Sequence, residues 1–188
     1  MKNSITNKVP ICPHCHRNLL CQLLDNFITD AYCCKCSYIP INQIQFITDE
    51  YKAITIKQPY PYLICTGIKD IENRTWKTKY RGRVYIHASA NYDNRHRNMA
   101  QLFTRHQWKA LEGTGMHIMI ATNSFDRSSI IGYVDIIDCI QNSTSIWALP
   151  DHYNWILSNP VLFDKPIENV KGSLSFWDCS NHLKSVVL

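Results

Sequence analysis

The sequence predicts an α+β fold in which a β-rich domain of ordinary size follows a short cysteine-stapled module. Three observations carry that prediction. Two Cys-x-x-Cys pairs fall in the first 40 residues, the remainder is divided into many short apolar runs with strand alternation, and only two stretches show the apolar spacing of helices. With 188 residues and 45% hydrophobic content, the chain can bury the core of one domain and still leave a small module.

The module is argued from its cysteines. "CPHCH" supplies Cys12 and Cys15, "YCCKC" supplies Cys33 and Cys36, and residues 16–32 separate the two pairs. That is the spacing of a zinc ribbon. Zinc takes four soft ligands in a tetrahedron, and each Cys-x-x-Cys turn brings two thiolates to one side while backbone amides stabilise their charge. The expected cofactor is therefore a structural zinc, because four cysteine ligands leave no open position for a reacting water. His14, His16, Cys21 and Cys34 are close enough in sequence to replace a ligand. Many ribbons carry glycine just after each knuckle, where the backbone favours positive φ, but His16 and Ser37 stand there in this chain. So short a segment buries little, and metal binding would supply most of its folding free energy. The alternative is a set of reduced buried or catalytic cysteines.

The boundary is expected near Asp49, where the strand-like stretch after Tyr38 gives way to polar and acidic residues, which assigns 1–48 to the ribbon and 49–188 to the second domain. The N-terminus lacks the apolar segment of a secretory signal, and no run reaches the roughly 18 apolar residues that cross a bilayer. A cytoplasmic protein without membrane contact is expected. A net charge of +5 suits an anionic partner and identifies none.

In the second domain, "AITIKQPYPYLICTG" reads as a strand, a turn at Gln58-Pro59, and a helix through Tyr62 to Cys65 that stops at Gly67. "YRGRVYIHASA" alternates as a half-buried strand, and "NRHRNMAQLFTRHQWKALEG" has the spacing of an amphipathic helix. "MHIMIA" and "SIIGYVDIIDCI" read as strands joined by a turn, with a bulge at Gly132. "YNWILSNPVLF" and "VKGSLSFWDC" read as two closing strands. Many strands and only two helices suggest a sheet that curls into a small barrel.

The stretch from Ile54 onward resembles an ASCH domain, a member of the PUA-like superfamily. The resemblance rests on the GxKxxExR pattern at Gly67, Lys69, Glu72 and Arg74, with Gln58-Pro59, the "YRG" at Tyr80–Gly82, His87-Ala88 and "VKG" in support. It implies a small PUA-like β-barrel with flanking helices and a polar cleft that binds RNA, in its finer form recognising a nucleotide or modified base. Some bacterial relatives resemble amidohydrolases acting on acetylated cytidine, and some eukaryotic ASCH proteins look like transcription coactivators.

Glu72 and Arg74 are two apart on a strand and share a face, so they can pair, and a carboxylate-held guanidinium is a rigid fork for phosphate or a base edge. A purely structural ion pair is the alternative. Lys69, in the turn, would add a mobile charge. "RTWKTKYRGR" interleaves Trp76 and Tyr80 with Lys79 and Arg81, the arrangement in which bases stack on rings while cations meet phosphates. The expected nucleic-acid contacts are Gln58, Lys69, Arg74, Trp76, Lys79, Tyr80, Arg81, His87 and Lys171. For His87 a hydrogen-bonded core role competes with an acid–base role, and Lys171 is either a phosphate contact or part of a turn. Asp135 must pair with a cation or face the cleft. Were the protein a hydrolase, Lys69 and Glu72 would be its catalytic residues. The relatives' nucleophilic threonine is replaced by Glu72, leaving a general-base role with Lys69 as oxyanion partner. The expected partners are RNA or single-stranded nucleic acid, and a protein that meets the ribbon.

Overall fold

The computed structural model describes residues 8–11, 20–24, 27–33, 35–43, 45–48, 51–93 and 99–183. The chain divides into two compact units, 1–50 and 51–188. In the first, β1 (Lys8–Ile11) pairs antiparallel with β5 (Gln45–Thr48), and β2 (Leu20–Leu24), β3 (Phe27–Cys33) and β4 (Ser37–Tyr38) form a three-stranded antiparallel sheet. Ala31, Cys33 and Ile39 are its buried centre, and Cys21 and Cys36 pack against them.

The second unit is built on six strands, β6 (Lys52–Gln58), β7 (Ile71–Arg74), β8 (Gly82–Tyr92), β9 (Ser129–Gln141), β10 (Tyr153–Ile167) and β11 (Phe176–Asp178). They lie in the order β11-β6-β8-β9-β10-β7, and only β6 and β8 run parallel. The helices are short: α1 (Tyr60–Cys65), α2 (Arg105–Ala110), α3 (Met116–Thr122) and α4 (Ser180–Leu183). Among the described residues no helix is long and apolar enough to cross a membrane.

The sheet does not close into the expected barrel. β7 and β11, its outer strands, have four and three residues and make no ladder with each other. Side chains join the two ends instead. Trp155 stacks on Phe176 with ring centroids 5.2 Å apart, and Trp76 stands edge-on to both. Arg74 on β7 donates through Nη2 to the Thr55 carbonyl on β6 at 3.1 Å. The two ends of the sheet are thus linked through side chains and not through a backbone ladder.

Strand β8 is buried on both faces from Val84 to Ala88, because one cluster packs on Val84 and Ile86 while another packs on Tyr85. Half-burial was the expectation, and the second apolar layer explains the difference. Opposite Gly132 the β8–β9 register slips between Ile86 and His87, which places a bulge where glycine suggested one. "MHIMIA" is helical and not extended. Gly115 and Asn123, with φ of 74° and 57°, bracket α3, and burial falls on Met116 and Ile120, four apart, while Ile118 is 58% exposed. The expected long amphipathic helix is divided: a 3₁₀ turn at Met99–Leu102 precedes α2, whose start is fixed by a capping box between Thr104 and Gln107. β10 continues through Pro160, which lacks an N–H and falls at a register slip.

Candidate nucleic-acid interface

α1 ends at Cys65, Gly67 follows with a φ of 77° that suits glycine, and the Lys69 N–H then donates to the Leu63 carbonyl at 2.9 Å. The chain is folded back on the helix it has just left, and the Lys69 side chain is carried inward. β7 follows, pairing Glu72 with Trp155 and Arg74 with Tyr153 on β10. Lys69 Nζ lies 3.2 Å from Glu72 Oε2, also donates to the Ile71 carbonyl, and sits over the Tyr60 ring. Arg74 Nε is 3.1 Å from Glu72 Oε1, an ion pair by distance whose N–H is not aligned for a hydrogen bond.

Lys69 is 3% exposed, so it is not the mobile point charge that its place in a turn suggested. Burial pushes its pKa down, and the neighbouring Glu72 carboxylate opposes the shift. It borders a second cavity of about 370 Å³, which it shares with Tyr60. Its position makes it the internal partner of Glu72, and Glu72 in turn orients Arg74.

A larger cleft of about 1010 Å³ opens beside this pair. Glu72, Arg74, His87 and Lys171 line it, as do Thr55 on β6 and the loop 169–175 between β10 and β11. Among the described lining residues, three cations, Lys57, Arg74 and Lys171, stand against two carboxylates, Glu72 and Asp93, a balance of one positive charge.

His87 is 2% exposed, and its Nε2 lies 2.9 Å from the Val170 carbonyl. A carbonyl only accepts, so Nε2 carries the proton and Nδ1 is left as a buried acceptor with no partner. Burial holds its pKa below the usual histidine value, the Val170 bond opposes this, and His182 adds to it. The core role and the cleft position therefore coincide in one side chain.

Residues 54–167, more than half of the chain, match the ASCH domain family. The chain belongs to that family. It is similar to Activating signal cointegrator 1 of Homo sapiens, 29% identical over 98 residues, which is 52% of this chain and 16% of the relative. Against Activating signal cointegrator 1 of Mus musculus it is 28% identical over 133 residues, 66% of this chain and 21% of that protein. The chain thus spans about a fifth or less of the length of these relatives. The ASCH match ends before the loop that carries Lys171.

The remaining expected contacts of the ASCH unit lie away from the cleft. Gln58 is fully buried, and its Nε2 donates to the Asp126 carbonyl at 2.7 Å, so it serves the interior. β7 ends at Arg74 and the following residues leave the sheet, which separates the interleaved aromatic and basic run from the cleft. Trp76 is half-buried in the Trp155–Phe176 cluster, and Tyr80 packs against Phe176. Lys79 is exposed, and Arg81 pairs with Asp138 at 2.7 Å. Asp135 meets a cation, Arg83, at 3.5 Å. The cleft residues that sequence reading missed include Lys57, Tyr60, Asp93, Ser128 and Leu174. Tyr60 carried a usable signal, as an aromatic residue directly after the Gln58-Pro59 turn that faces both cavities.

In the first unit, the turn between β3 and β4 has features of a metal knuckle. The Lys35 amide donates to Cys33 Sγ at 3.4 Å, and Ser37 adopts φ of 63°, the left-handed conformation often given to glycine. Among the described residues no three metal-ligating side chains gather at one place. Cys12, Cys15, His14, His16 and Cys34 lie outside the described residues.

Proposed function

We propose that the ASCH unit binds single-stranded RNA, with the phosphate backbone of one or two nucleotides received in the cleft beside Arg74. The observation that carries this reading is the fixed guanidinium. Glu72 and the Thr55 carbonyl hold Arg74 on the wall of a 1010 Å³ cleft that also contains Lys57 and Lys171, and ASCH domains are associated with RNA binding. Preorganised charge of this kind favours a phosphate over a neutral solute. Binding to a fluorescent single-stranded RNA should fall steeply as salt rises from about 50 to 200 mM, and Arg74→Ala or Lys171→Ala should each reduce the logarithmic salt slope by about 0.7. A slope identical to wild type in both variants would remove the cleft from the interaction.

Recognition of one particular nucleotide or modified base is the finer form of the proposal, and a cleft lining that offers the Tyr60 side chain as well as the hydroxyls of Ser89 and Ser128 supports it. Hydrolysis is the weaker reading. The relatives' nucleophilic threonine is replaced by Glu72, whose carboxylate is paired with Lys69 at Oε2 and Arg74 at Oε1. Free cytidine released from acetylated cytidine would reinstate it.

For the first unit we propose a structural zinc held by Cys12, Cys15, Cys33 and Cys36. The knuckle features at Cys33–Ser37 support it. Metal analysis of protein purified without chelator should return one zinc per chain, and a metal-free protein with intact first-unit structure would overturn it. The cointegrator name of the relatives supports a second reading, contact of this chain with a protein partner through the first unit, which co-purification would test.

A further inference from the structure

The loop between β10 and β11 is fixed at its root. Val170 is 1% exposed, its N–H donates to the Ser128 carbonyl at 2.7 Å, and its carbonyl accepts the His87 Nε2–H. Two residues on, a Cβ added to Gly172 would lie 2.5 Å from the His87 ring and 2.6 Å from Thr55 Oγ1. The backbone there touches β6 and β8, and no other residue fits without moving it. The far end of the loop enters β11, where Phe176 pairs with Ile54 and stacks on Trp155.

Between these anchors the tip projects into water. Leu174 is 91% exposed, the highest value among the described large hydrophobic residues, and it stands on the rim of the cleft with Ser173 and Ser175 on either side. Single exposed leucines are common, so exposure alone decides nothing. The position decides, because a rigid root holds this apolar side chain over a cleft lined mainly by charged and polar side chains. A base entering beside Arg74 and Lys171 finds apolar surface at Tyr60 and, on the loop, at Leu174.

We infer that Leu174 is a base-contacting residue of the cleft, presented by a loop whose geometry His87 and Gly172 set. The inference rests on the proposed RNA binding and adds to it: the ligand must carry a planar apolar face next to its phosphate, as a nucleotide does and a simple polyanion does not. Leu174 is surface-exposed, so its variants should fold as wild type does.

The test is anisotropy of a fluorescent mixed-sequence single-stranded RNA with wild type, Leu174→Ala, Leu174→Phe and Arg74→Ala across a salt series. Leu174→Ala should weaken binding about five- to tenfold at every salt concentration, leaving the slope unchanged, because the lost contact is apolar and releases no counterion. Leu174→Phe should bind at least as tightly as wild type, since a ring covers a base as well as an isobutyl group does. If Leu174→Ala binds as wild type while Arg74→Ala is weakened, the leucine contact is wrong and the cleft reading stands. If Arg74→Ala is also unchanged, or wild type binds no RNA, both fall.

Discussion

Glu72 is the residue on which the interior of the ASCH unit turns. It is flanked by two cations, one of them almost completely removed from solvent, and the ordinary objection to a buried charge is met only while all three groups are present. Glu72→Gln would leave Lys69 buried without a counter-charge and would release the Arg74 fork. We expect it to destabilise the fold by about 3 kcal/mol in urea unfolding. Replacing Lys69 by Met in the same chain should recover part of that loss, because the double variant buries no unmatched ammonium. A single-variant loss below about 0.5 kcal/mol would mean that the pair is solvated and behaves as a surface salt bridge. The pairing of Glu72 with Arg74 was legible from their two-residue spacing. The burial of Lys69 was not, since it depends on the chain folding back on α1, a tertiary event with no local signature.

At the scale of elements, the legible parts are those with strong punctuation. Gln58-Pro59 and Gly67 bracket α1, and the alternation in "RVYIHA" marks β8. α3 was misread because the apolar residues of "MHIMIA" satisfy both a period of two and a spacing of four, and only the left-handed residues at 115 and 123 separate the two. The start of α2 was legible in retrospect, as a Thr104-x-x-Gln107 box ahead of Trp108. Thr104 Oγ1 accepts the Gln107 N–H at 3.3 Å and Gln107 Oε1 accepts the Thr104 N–H at 2.9 Å. Thr104→Ala should therefore cost about 1 kcal/mol of stability in a denaturant titration while leaving RNA binding unchanged, because α2 lies outside the cleft. An equal loss from Thr104→Ser, which keeps the hydroxyl, would assign the effect to something other than the cap. The cleft itself was only partly legible, since Arg74 and Lys171 reach it from strands and loops almost a hundred residues apart.

For the ASCH unit as a whole, the decisive feature is a sheet whose ends are joined by side chains. A closed barrel would distribute that junction over many backbone hydrogen bonds, whereas here it rests on the Trp155–Phe176 stack, the Trp76 edge and the Arg74–Thr55 bond. Two of those contacts belong to Phe176, the first residue of β11 and the anchor of the loop that carries Lys171 and Leu174. Phe176→Ala removes a ring that is partly buried, so its cost should fall below the usual range for a fully buried phenylalanine, at about 2 kcal/mol. It should act on function as well. With the junction loosened, the loop loses one of its two anchors and the cleft its second wall, so RNA affinity should drop even under conditions where the variant is fully folded. Phe176→Leu, which fills part of the space without the stack, should recover more stability than affinity. Near-ultraviolet circular dichroism of the tryptophans reports the junction and anisotropy reports the cleft. If Phe176→Ala altered the first and left the second at the wild-type value, the loop would be held by His87 and Val170 alone, and the junction would be a matter of stability without bearing on binding.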